Sequence, residues 1–321
     1  MEQEGFLWIE SRREEYLSFL RRLVCTESHS FDRAGVIGAG RVVEDLSLIH
    51  IYFEVLDKIK ELGAEGAEFV LDDTAPDGTN PRDFALRLAE AARQKGLDVP
   101  IYTTSANFLC PDVEKEIRRV EKHIDIASEA GIPLLRHDIA WNFYEGYEGV
   151  PTFEAILPGV AAAIREVADY AAKKGVTTCS ENHGRLVQDS DRLLRVFTEV
   201  NRPGYRYLCD IGNFGGVDEC CSTAVSKLLP LVCHVHAKDS FVRPGMWPDP
   251  GEGWFLSRGG NYRRPTIFGH GSQPTFQCLK ILHDSGYRGF VSLEYEGIEE
   301  TLMALRISMK NLNRYLEQIE G

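Results

Sequence analysis

Short apolar runs alternate with amphipathic stretches from about residue 54 to the end of the chain. Most runs are apolar on both faces, as in strands that are covered on both sides. This alternation predicts βα units around a parallel sheet. The predicted strands cover residues 67–71, 99–103, 133–137, 176–181, 205–210, 231–237 and 289–294. The predicted helices cover residues 55–62, 82–95, 112–130, 152–174, 188–200, 217–229, 273–285 and 298–318, and several end just before a glycine, the expected helix stop (Gly96, Gly131, Gly175, Gly286).

Seven strands are one short of a (β/α)8 TIM barrel, and residues 46–53 are the remaining candidate for the first strand. A chain of 321 residues fits a single barrel. We therefore expect an α/β fold in which residues 46–321 form the catalytic barrel and residues 1–45 form a helical extension. A long loop after the seventh strand, at residues 240–269, is rich in Pro, Gly and aromatic residues. Its position predicts an unstructured lid over the mouth of the barrel.

Two segments near the start of the chain resemble sequences that do not belong to a barrel. LSLIHI at residues 46–51 resembles the translation of a transposon-end adapter used in sequencing libraries. Residues 19–28 resemble the opening helix of dizinc aminoacylase- and carboxypeptidase-type metallopeptidases, without the remaining ligands of those enzymes. Both observations indicate a chimeric join in residues 1–51; the alternative is a native helix that packs across the bottom of the barrel. Under either interpretation, we expect no chemistry from residues 1–45.

Composition and charge narrow the function. The chain is 43% hydrophobic and 26% charged, as in ordinary globular proteins. Its 49 acidic and 36 basic residues give a net charge of −13, which disfavours nucleic acid as a partner. Long apolar runs and a basic leader are both missing from the sequence, and the eight cysteines follow no CxxC spacing. We therefore expect reduced thiols, no membrane partner and a cytoplasmic location.

Four metal-ligating side chains share one position, the carboxyl end of a predicted strand. They are Glu181, Asp210, His236 and Glu294, from the last four strands in chain order. The carboxyl ends of barrel strands converge on one mouth, where barrel enzymes place their catalytic groups. Three carboxylates that converge there would raise one another's pKa unless a cation neutralised them. Three carboxylates and one imidazole favour one divalent ion, Mn²⁺ first, with Mg²⁺, Co²⁺ and Zn²⁺ as alternatives.

Four sequence segments around these residues resemble a known family. They are SENHG at 180–184, CDIGN at 209–213, HVHAKD at 234–239 and SLEYEG at 292–297. They are similar to the metal-site segments of the xylose isomerase-like superfamily of sugar phosphate isomerases and epimerases, which includes the D-tagatose 3-epimerase branch. The resemblance covers about residues 54–318. It implies a metal held by Glu181, Asp210, His236 and Glu294.

Two departures from that branch concern the substrate. Epimerases of the branch commonly carry His three residues after the strand-six Asp, where this chain has Asn213. The stretch 258–271 is also longer than the usual glycine motif, and it resembles a branch in which some members act with a small partner subunit on 3-keto-glycosides. The sequence therefore leaves open a small partner subunit or a homo-oligomer. The expected substrate is a small sugar or keto-sugar.

The resemblance implies proton transfer next to a carbonyl. In the epimerase scheme, Glu181 and Glu294 lie on opposite sides of the sugar; one removes a proton and the other returns one to the opposite face, through a metal-stabilised enediolate. The alternative is a 3-keto-glycoside lyase or deglycosidase, in which the same first step lets the C1 substituent leave. His137 and His270 are candidates there for the base or the leaving-group acid.

Further residues are candidate substrate ligands, each with a structural alternative. Asn182 and His183 line the pocket or support Glu181. Lys238 orients a substrate oxygen or pairs with a nearby carboxylate. Trp247 stacks on a sugar face or closes the lid's own small core. A non-catalytic barrel would lack a ligand, and an apurinic-site endonuclease would need more His ligands and a basic groove, so the sequence disfavours both.

Overall fold

The computed structural model describes residues 49–75 and 78–321, with side chains from residue 54 onward. The predicted extension at residues 1–45 lies outside this part of the chain. No helix within the described ranges combines the length and the apolar character that crossing a bilayer requires.

A parallel sheet forms the centre of the fold. The strands in chain order are β1 (Phe69–Val70), β2 (Ile101–Thr104), β3 (Leu134–His137), β4 (Thr177–Glu181), β5 (Tyr205–Asp210), β6 (Val232–Ala237), β7 (Asp239–Arg243), β8 (Phe255–Leu256), β9 (Tyr262–Thr266) and β10 (Val291–Leu293). Within the described residues, seven of them form one sheet in the order β1-β2-β3-β4-β5-β6-β10. Every neighbouring pair in it is parallel. The predicted βα pattern is confirmed.

Helices connect most of these strands. In chain order they are α1 (Ile49–Glu61), α2 (Pro81–Gln94), α3 (Val113–Glu129), α4 (Phe153–Lys173), α5 (Ser190–Val200), α6 (Cys221–Leu228), α7 (Thr275–Asp284) and α8 (Thr301–Glu320). Side chains of Asn80, Asp112 and Thr152 accept hydrogen bonds from backbone N–H groups at the starts of α2, α3 and α4. The four glycines predicted to stop helices have φ between 66° and 88°, the left-handed region that glycine enters without steric cost.

The two ends of the sheet approach each other, so the sheet is curled. Glu68, which precedes β1, accepts a hydrogen bond from the Ser292 hydroxyl of β10. A Cβ at Gly66 would lie 3.1 Å from the Phe290 ring. These contacts join the first and the last strand of the sheet order. The fold is therefore an α/β TIM barrel that shows seven parallel strands in the described ranges.

The prediction of a first strand at residues 46–53 is wrong in its described part. Residues 49–53 belong to α1, which extends to Glu61. A short apolar run has the same appearance in a strand and in a buried helical turn, so periodicity alone could not separate them. Residues 49–53 are helical because they continue into a helix that packs on the core, with Leu56 buried and Ile59 against the core one turn later.

The expected unstructured lid is largely ordered. Residues 239–266 contain a second, antiparallel sheet in the order β7-β9-β8. In its long hairpin, Asp239 is paired with Thr266 and Arg243 with Tyr262. This sheet follows β6 directly and so starts at the carboxyl end of the barrel. Large apolar side chains remain exposed near its tip, including Met246, Trp247 and Phe255.

Side chains alternate between the helices and the interior of the barrel. Ile101, Cys179 and Leu208 form a small buried cluster of their own, separate from the large core between sheet and helices. A register shift between β5 and β6 places Leu208 opposite His234 and Asp210 opposite His236. Along β5 the inward side chains therefore change from apolar at Leu208 to acidic at Asp210, one pleat nearer the carboxyl end.

Candidate metal centre

Four side chains meet at the carboxyl end of the barrel. Glu181 ends β4, Asp210 ends β5, His236 lies near the end of β6 and Glu294 directly follows β10. Each offers one ligand atom, and these four atoms all lie within 4.8 Å of one another. The backbone N–H of Glu294 donates to the carbonyl of Ala237 at 3.1 Å, which continues the parallel pairing and holds Glu294 at the level of His236.

Three atoms of this group are buried without a hydrogen-bond partner. They are Asp210 Oδ2, His236 Nδ1 and Glu294 Oε2. His236 Nδ1 lies 3.1 Å from Glu294 Oε2, but the approach lacks hydrogen-bond alignment. Two of these atoms, Asp210 Oδ2 and Glu294 Oε2, lie 3.2 and 3.0 Å from Lys238 Nζ, so they are paired by charge but accept no hydrogen bond. Three such atoms that face one point fit a divalent cation, so the residues present suit the ion that their chemistry implies.

Hydrogen bonds to the Asp210 backbone and to its Oδ1 atom orient the carboxylate so that Oδ2 faces the other ligands. Backbone N–H groups of Gly212 and Asn213 donate to Asp210 Oδ1 at 2.7 and 2.9 Å. Asn182 is fully buried, and its side-chain amide makes two hydrogen bonds to the Asp210 backbone. It donates to the carbonyl at 2.9 Å and accepts from the N–H at 3.1 Å. The Tyr207 hydroxyl donates to the same Asn182 oxygen at 2.8 Å. Asn182 thus supports a ligand and does not line the open pocket.

Burial and neighbouring charges shift the pKa values of the carboxylates at this centre. Burial raises the pKa of Asp210 to about 7; Lys238 opposes this rise, and the nearby Glu294 and Glu181 carboxylates add to it. For Glu294, burial acts in the same direction, but Lys238 and His236 hold its pKa well below the usual value. Asp210 therefore shows the raised pKa expected of converging carboxylates, whereas neighbouring cations lower the pKa of Glu294.

Lys238 joins this group from the residue after β6. Its side chain is 4% exposed. Nζ lies 3.2 Å from Asp210, 3.0 Å from Glu294 and 3.2 Å from Glu296. Although burial disfavours its charge, these carboxylates raise the pKa of Lys238, so it remains an ammonium. The structure brings Lys238 to the ligands, where it pairs with carboxylates in the way the sequence left open.

Arg136 is a site residue that the sequence analysis missed. It lies on β3 inside the barrel, with Nη2 2.8 Å from Asp138 and 2.9 Å from Glu181. His183 contacts the same Asp138 carboxylate at 2.8 Å and packs edge-on against Trp141. Burial alone would raise the pKa of Glu181, but Arg136 and His183 bring it below its usual value. Arg136 precedes His137 in the predicted strand, so strand alternation was the signal that one of the two faces the interior.

The structure does not bring three other predicted residues to the ligands. His137 faces the helices and lies between the rings of Phe108 and Tyr205, because its neighbour Arg136 takes the inward direction. His270 is exposed in the turn after β9. Trp247 is 52% exposed, with the Arg243 guanidinium 5.2 Å from its ring centre.

Comparison with protein families identifies the fold and its relatives. A family model described as xylose isomerase-like TIM barrel matches residues 56–315. The chain belongs to this family. No curated protein matches the sequence.

Solved structures of xylose isomerase-like barrels resemble this chain at low sequence identity. An L-ribulose 3-epimerase has a TM-score of 0.66 and 15% identity, covering 85% of this chain and 91% of its own. A xylose isomerase-like TIM barrel protein from Mycobacterium smegmatis, in complex with magnesium, has a TM-score of 0.64 and 16% identity, covering 85% and 90%. A 3-keto-D-glucoside 4-epimerase from E. coli has a TM-score of 0.60 and 17% identity, covering 82% and 94%. At these identities, the likeness shows the fold.

Asn213 is one of the departures of this xylose isomerase-like barrel from the epimerase pattern. Where that pattern has His, Asn213 donates from its side-chain amide to Glu181 Oε1 at 2.7 Å. Its backbone N–H also binds Asp210, so one residue connects two of the four candidate ligands. Asn213 therefore orients the centre from below and is buried, which sets it apart from a substrate contact.

Proposed function

We propose that this chain is a divalent-metal-dependent sugar isomerase or epimerase that removes a proton next to a carbonyl. The observation that carries the proposal is the group of three buried atoms without a hydrogen bond on Asp210, His236 and Glu294, with Glu181 beside them. The epimerases among the structural neighbours support the sugar class. We propose Mn²⁺ as the resident ion, since the ligand set has three carboxylates and one imidazole.

Glu181 and Glu294 are the proposed acid and base. In the sheet order, β5 and β6 lie between β4 and β10, so Glu181 and Glu294 approach the pair Asp210 and His236 from opposite sides. A divalent ion in this centre supplies polarisation of the substrate carbonyl and its neighbouring hydroxyl. The two side chains then move the proton: the one that is ionised accepts it from the carbon next to the carbonyl, and the other, in its protonated form, donates one to the opposite face.

Other residues hold and shield the substrate in this proposal. The Lys238 ammonium is available to a substrate oxygen at the same mouth, where it would share its three N–H groups with the carboxylates. Substrate contacts of His183, His270 and Trp247 stay predictions, as does a catalytic role of His137. The seven described cysteines are free thiols, which suits the reducing cytoplasm that we propose as the location.

Proton exchange with solvent tests the proposal directly. The Mn²⁺-loaded protein is incubated in D₂O with a panel of ketohexoses and 3-keto-glycosides, and the sugars are analysed by NMR after chelation of the metal. We expect deuterium at the carbon next to the carbonyl of a ketohexose. Glu181→Gln and Glu294→Gln should each lower that exchange by roughly 10²–10⁴-fold, the usual contribution of a general acid or base.

The same experiment distinguishes the elimination. Loss of the C1 substituent from a 3-keto-glycoside, with no exchange into ketohexoses, would move the assignment to a lyase. Unchanged exchange in metal-free protein would refute the role of the metal. Lys58→Gln serves as the control variant, because Lys58 pairs with Glu61 on the surface of α1 and neither residue belongs to the four-ligand group.

A further inference from the structure

Glu68 crosses the inner face of the barrel and reaches His236. It precedes β1, and its side chain is 18% exposed. Glu68 Oε2 lies 3.0 Å from His236 Nε2. The other oxygen, Oε1, binds His234 Nε2 and the Ser292 hydroxyl, which are themselves 3.0 Å apart. One carboxylate thus contacts β6 and β10, including a candidate ligand on β6.

We propose that Glu68 is a positioning residue that fixes His236 with Nδ1 directed at the metal centre. An ionised carboxylate can only accept, so the proton of a neutral His236 ring must reside on Nε2 and the lone pair on Nδ1. Nδ1 is the atom that lies 3.1 Å from Glu294 and 4.0 Å from Glu181. A carboxylate behind a metal-binding His sets the ring orientation and raises its basicity as a ligand. The inference rests on the metal centre of the proposed function.

The hydrogen bonds around Glu68 favour positioning over a second metal site. Glu68, His234 and His236 also offer ligand atoms within 4.8 Å of one another. In this group, however, both Glu68 oxygens and the Nε2 atoms of both rings have hydrogen-bond partners. The buried atoms of the region that lack a hydrogen bond lie on the other side of His236, at Nδ1 and at the neighbouring carboxylates of Asp210 and Glu294. The described residues therefore favour one metal centre, formed by Glu181, Asp210, His236 and Glu294.

A purely structural role for Glu68 is the competing explanation, because its contacts also link the two ends of the sheet. Ser292→Ala is the matched control. It removes a contact of Glu68 across the same seam while leaving the His236 contact in place. Glu68→Gln keeps the size of the side chain and an oxygen that can accept from His236 Nε2. Glu68→Ala removes both.

Mn²⁺ binding measured by calorimetry separates these roles. We expect one ion per wild-type chain, and a 10- to 100-fold weaker affinity in Glu68→Ala, the range known for losing such a partner. Glu68→Gln should restore part of the loss, and Ser292→Ala, which keeps the Glu68–His236 contact, should bind Mn²⁺ within about threefold of wild type, well short of the 10- to 100-fold loss for a lost partner. Thermal melts of all four metal-free proteins show which variants fold. Wild-type Mn²⁺ affinity in folded Glu68→Ala would overturn the proposal, and so would an equal loss of affinity in Ser292→Ala. A second Mn²⁺ ion that binds to wild-type protein but not to Glu68→Ala would also overturn it.

The imidazole nitrogens give a second measurement that does not depend on the alanine variant. In Mg²⁺-loaded wild-type protein, long-range ¹H–¹⁵N spectra should show His236 protonated at Nε2 and not at Nδ1, with the signals assigned by their absence in His236→Gln. A proton on Nδ1 would refute the inference. Protein that binds Mn²⁺ as expected and exchanges no sugar proton would contradict the proposed reaction and leave the role of Glu68 standing.

Discussion

Arg136 shows how strongly single side chains are constrained inside this barrel. Its side chain is 6% exposed and pairs with two carboxylates, Asp138 and Glu181, that are equally buried. Burial disfavours the guanidinium charge, yet both carboxylates hold the pKa of Arg136 above its usual value. Breaking a buried pair from one side leaves uncompensated charge, which costs more than the pair contributes.

Arg136→Met should therefore lower the free energy of unfolding by about 3–5 kcal/mol, the cost of removing one partner of a buried ion pair. Urea denaturation of metal-free protein measures it. Arg82→Met is the control, because the Arg82–Glu129 pair is about half exposed on both sides and such pairs contribute about 0–1 kcal/mol. Equal losses in the two variants would contradict the argument.

Cys220 is the residue for which we predict a pH-dependent reaction. It is exposed ahead of α6, where hydrogen bonds from Ser222 and Thr223 lower its pKa to about 7. Because the thiolate is the nucleophile, its alkylation by iodoacetamide should rise as pH increases through about 7 and level off above it. Peptide mass spectrometry over a pH series locates the modified cysteines, and Cys220→Ser removes the signal.

Buried cysteines provide the comparison for this prediction. Burial raises the pKa of Cys209, Cys221 and Cys278, so they should stay unmodified at neutral pH while the protein is folded. Cys110, which is partly exposed, also has a raised pKa. Alkylation of Cys110 ahead of Cys220 at pH 7 would show that the hydrogen bonds at the start of α6 do not activate the thiol.

At the level of elements, helix ends determine where each strand begins. Most helices stop at a glycine with positive φ, but α5 stops at Asn201, with φ of 45°. Asn enters this left-handed conformation at lower cost than other residues with a Cβ. Its position matters, since only three residues separate it from β5, which ends in the candidate ligand Asp210.

Asn201→Ala should cost about 1 kcal/mol of stability, because Ala pays the left-handed penalty that Asn and Gly largely avoid. Asn201→Gly should be close to wild type or slightly more stable. Urea midpoints at a constant m-value compare the three proteins. An alanine variant as stable as the glycine variant would show that this helix end relaxes to another conformation.

The antiparallel sheet is held to the turn that follows it by contacts of Asp239. Asp239 Oδ2 accepts from the backbone N–H groups of Gly269 and Gly271 at 3.0 and 2.9 Å, which ties the end of the hairpin back to β7. A Cβ at Gly271 would come within 2.0 Å of Asp239 Oδ1. Only glycine fits there without movement of the backbone. The turn that carries His270 is thus fixed by contacts that do not involve the His270 side chain.

For the whole molecule, the metal centre couples folding to binding. Its ligands come from β4, β5, β6 and the end of β10, so an ion would link four strands of the curled sheet. A ligand that binds only the folded protein stabilises it in proportion to the logarithm of its concentration. The excess of acidic residues gives the chain a net charge of −13, which also favours cations over anions at its surface.

Mn²⁺ at one hundred times its Kd should therefore stabilise the protein by about 2.7 kcal/mol and raise Tm by several degrees. Differential scanning fluorimetry with and without the ion measures the shift. Asp210→Asn keeps an oxygen for the two backbone N–H groups but loses the free carboxylate oxygen, so its Tm should not respond to Mn²⁺. The same increase in Asp210→Asn would place the bound ion elsewhere.

The sequence by itself determined the βα order and the convergence of Glu181, Asp210, His236 and Glu294. Both follow from local patterns: periodicity marks the elements, and in a parallel sheet all carboxyl ends share one edge. It did not determine the state of residues 49–53, because a short apolar run carries no period of its own. The hairpin at residues 239–266 was also missed, since its Pro- and Gly-rich sequence hides the pairing.

Only the tertiary structure decided which supporting side chains face the centre. Arg136 and not His137 points inward because the phase of β3 is set by its neighbours in the sheet. Glu68 lies 168 residues before His236 and meets it because the sheet curls until its two ends touch. Strand phase and sheet closure arise from the packing of all elements together, so no local segment of the sequence encodes these contacts.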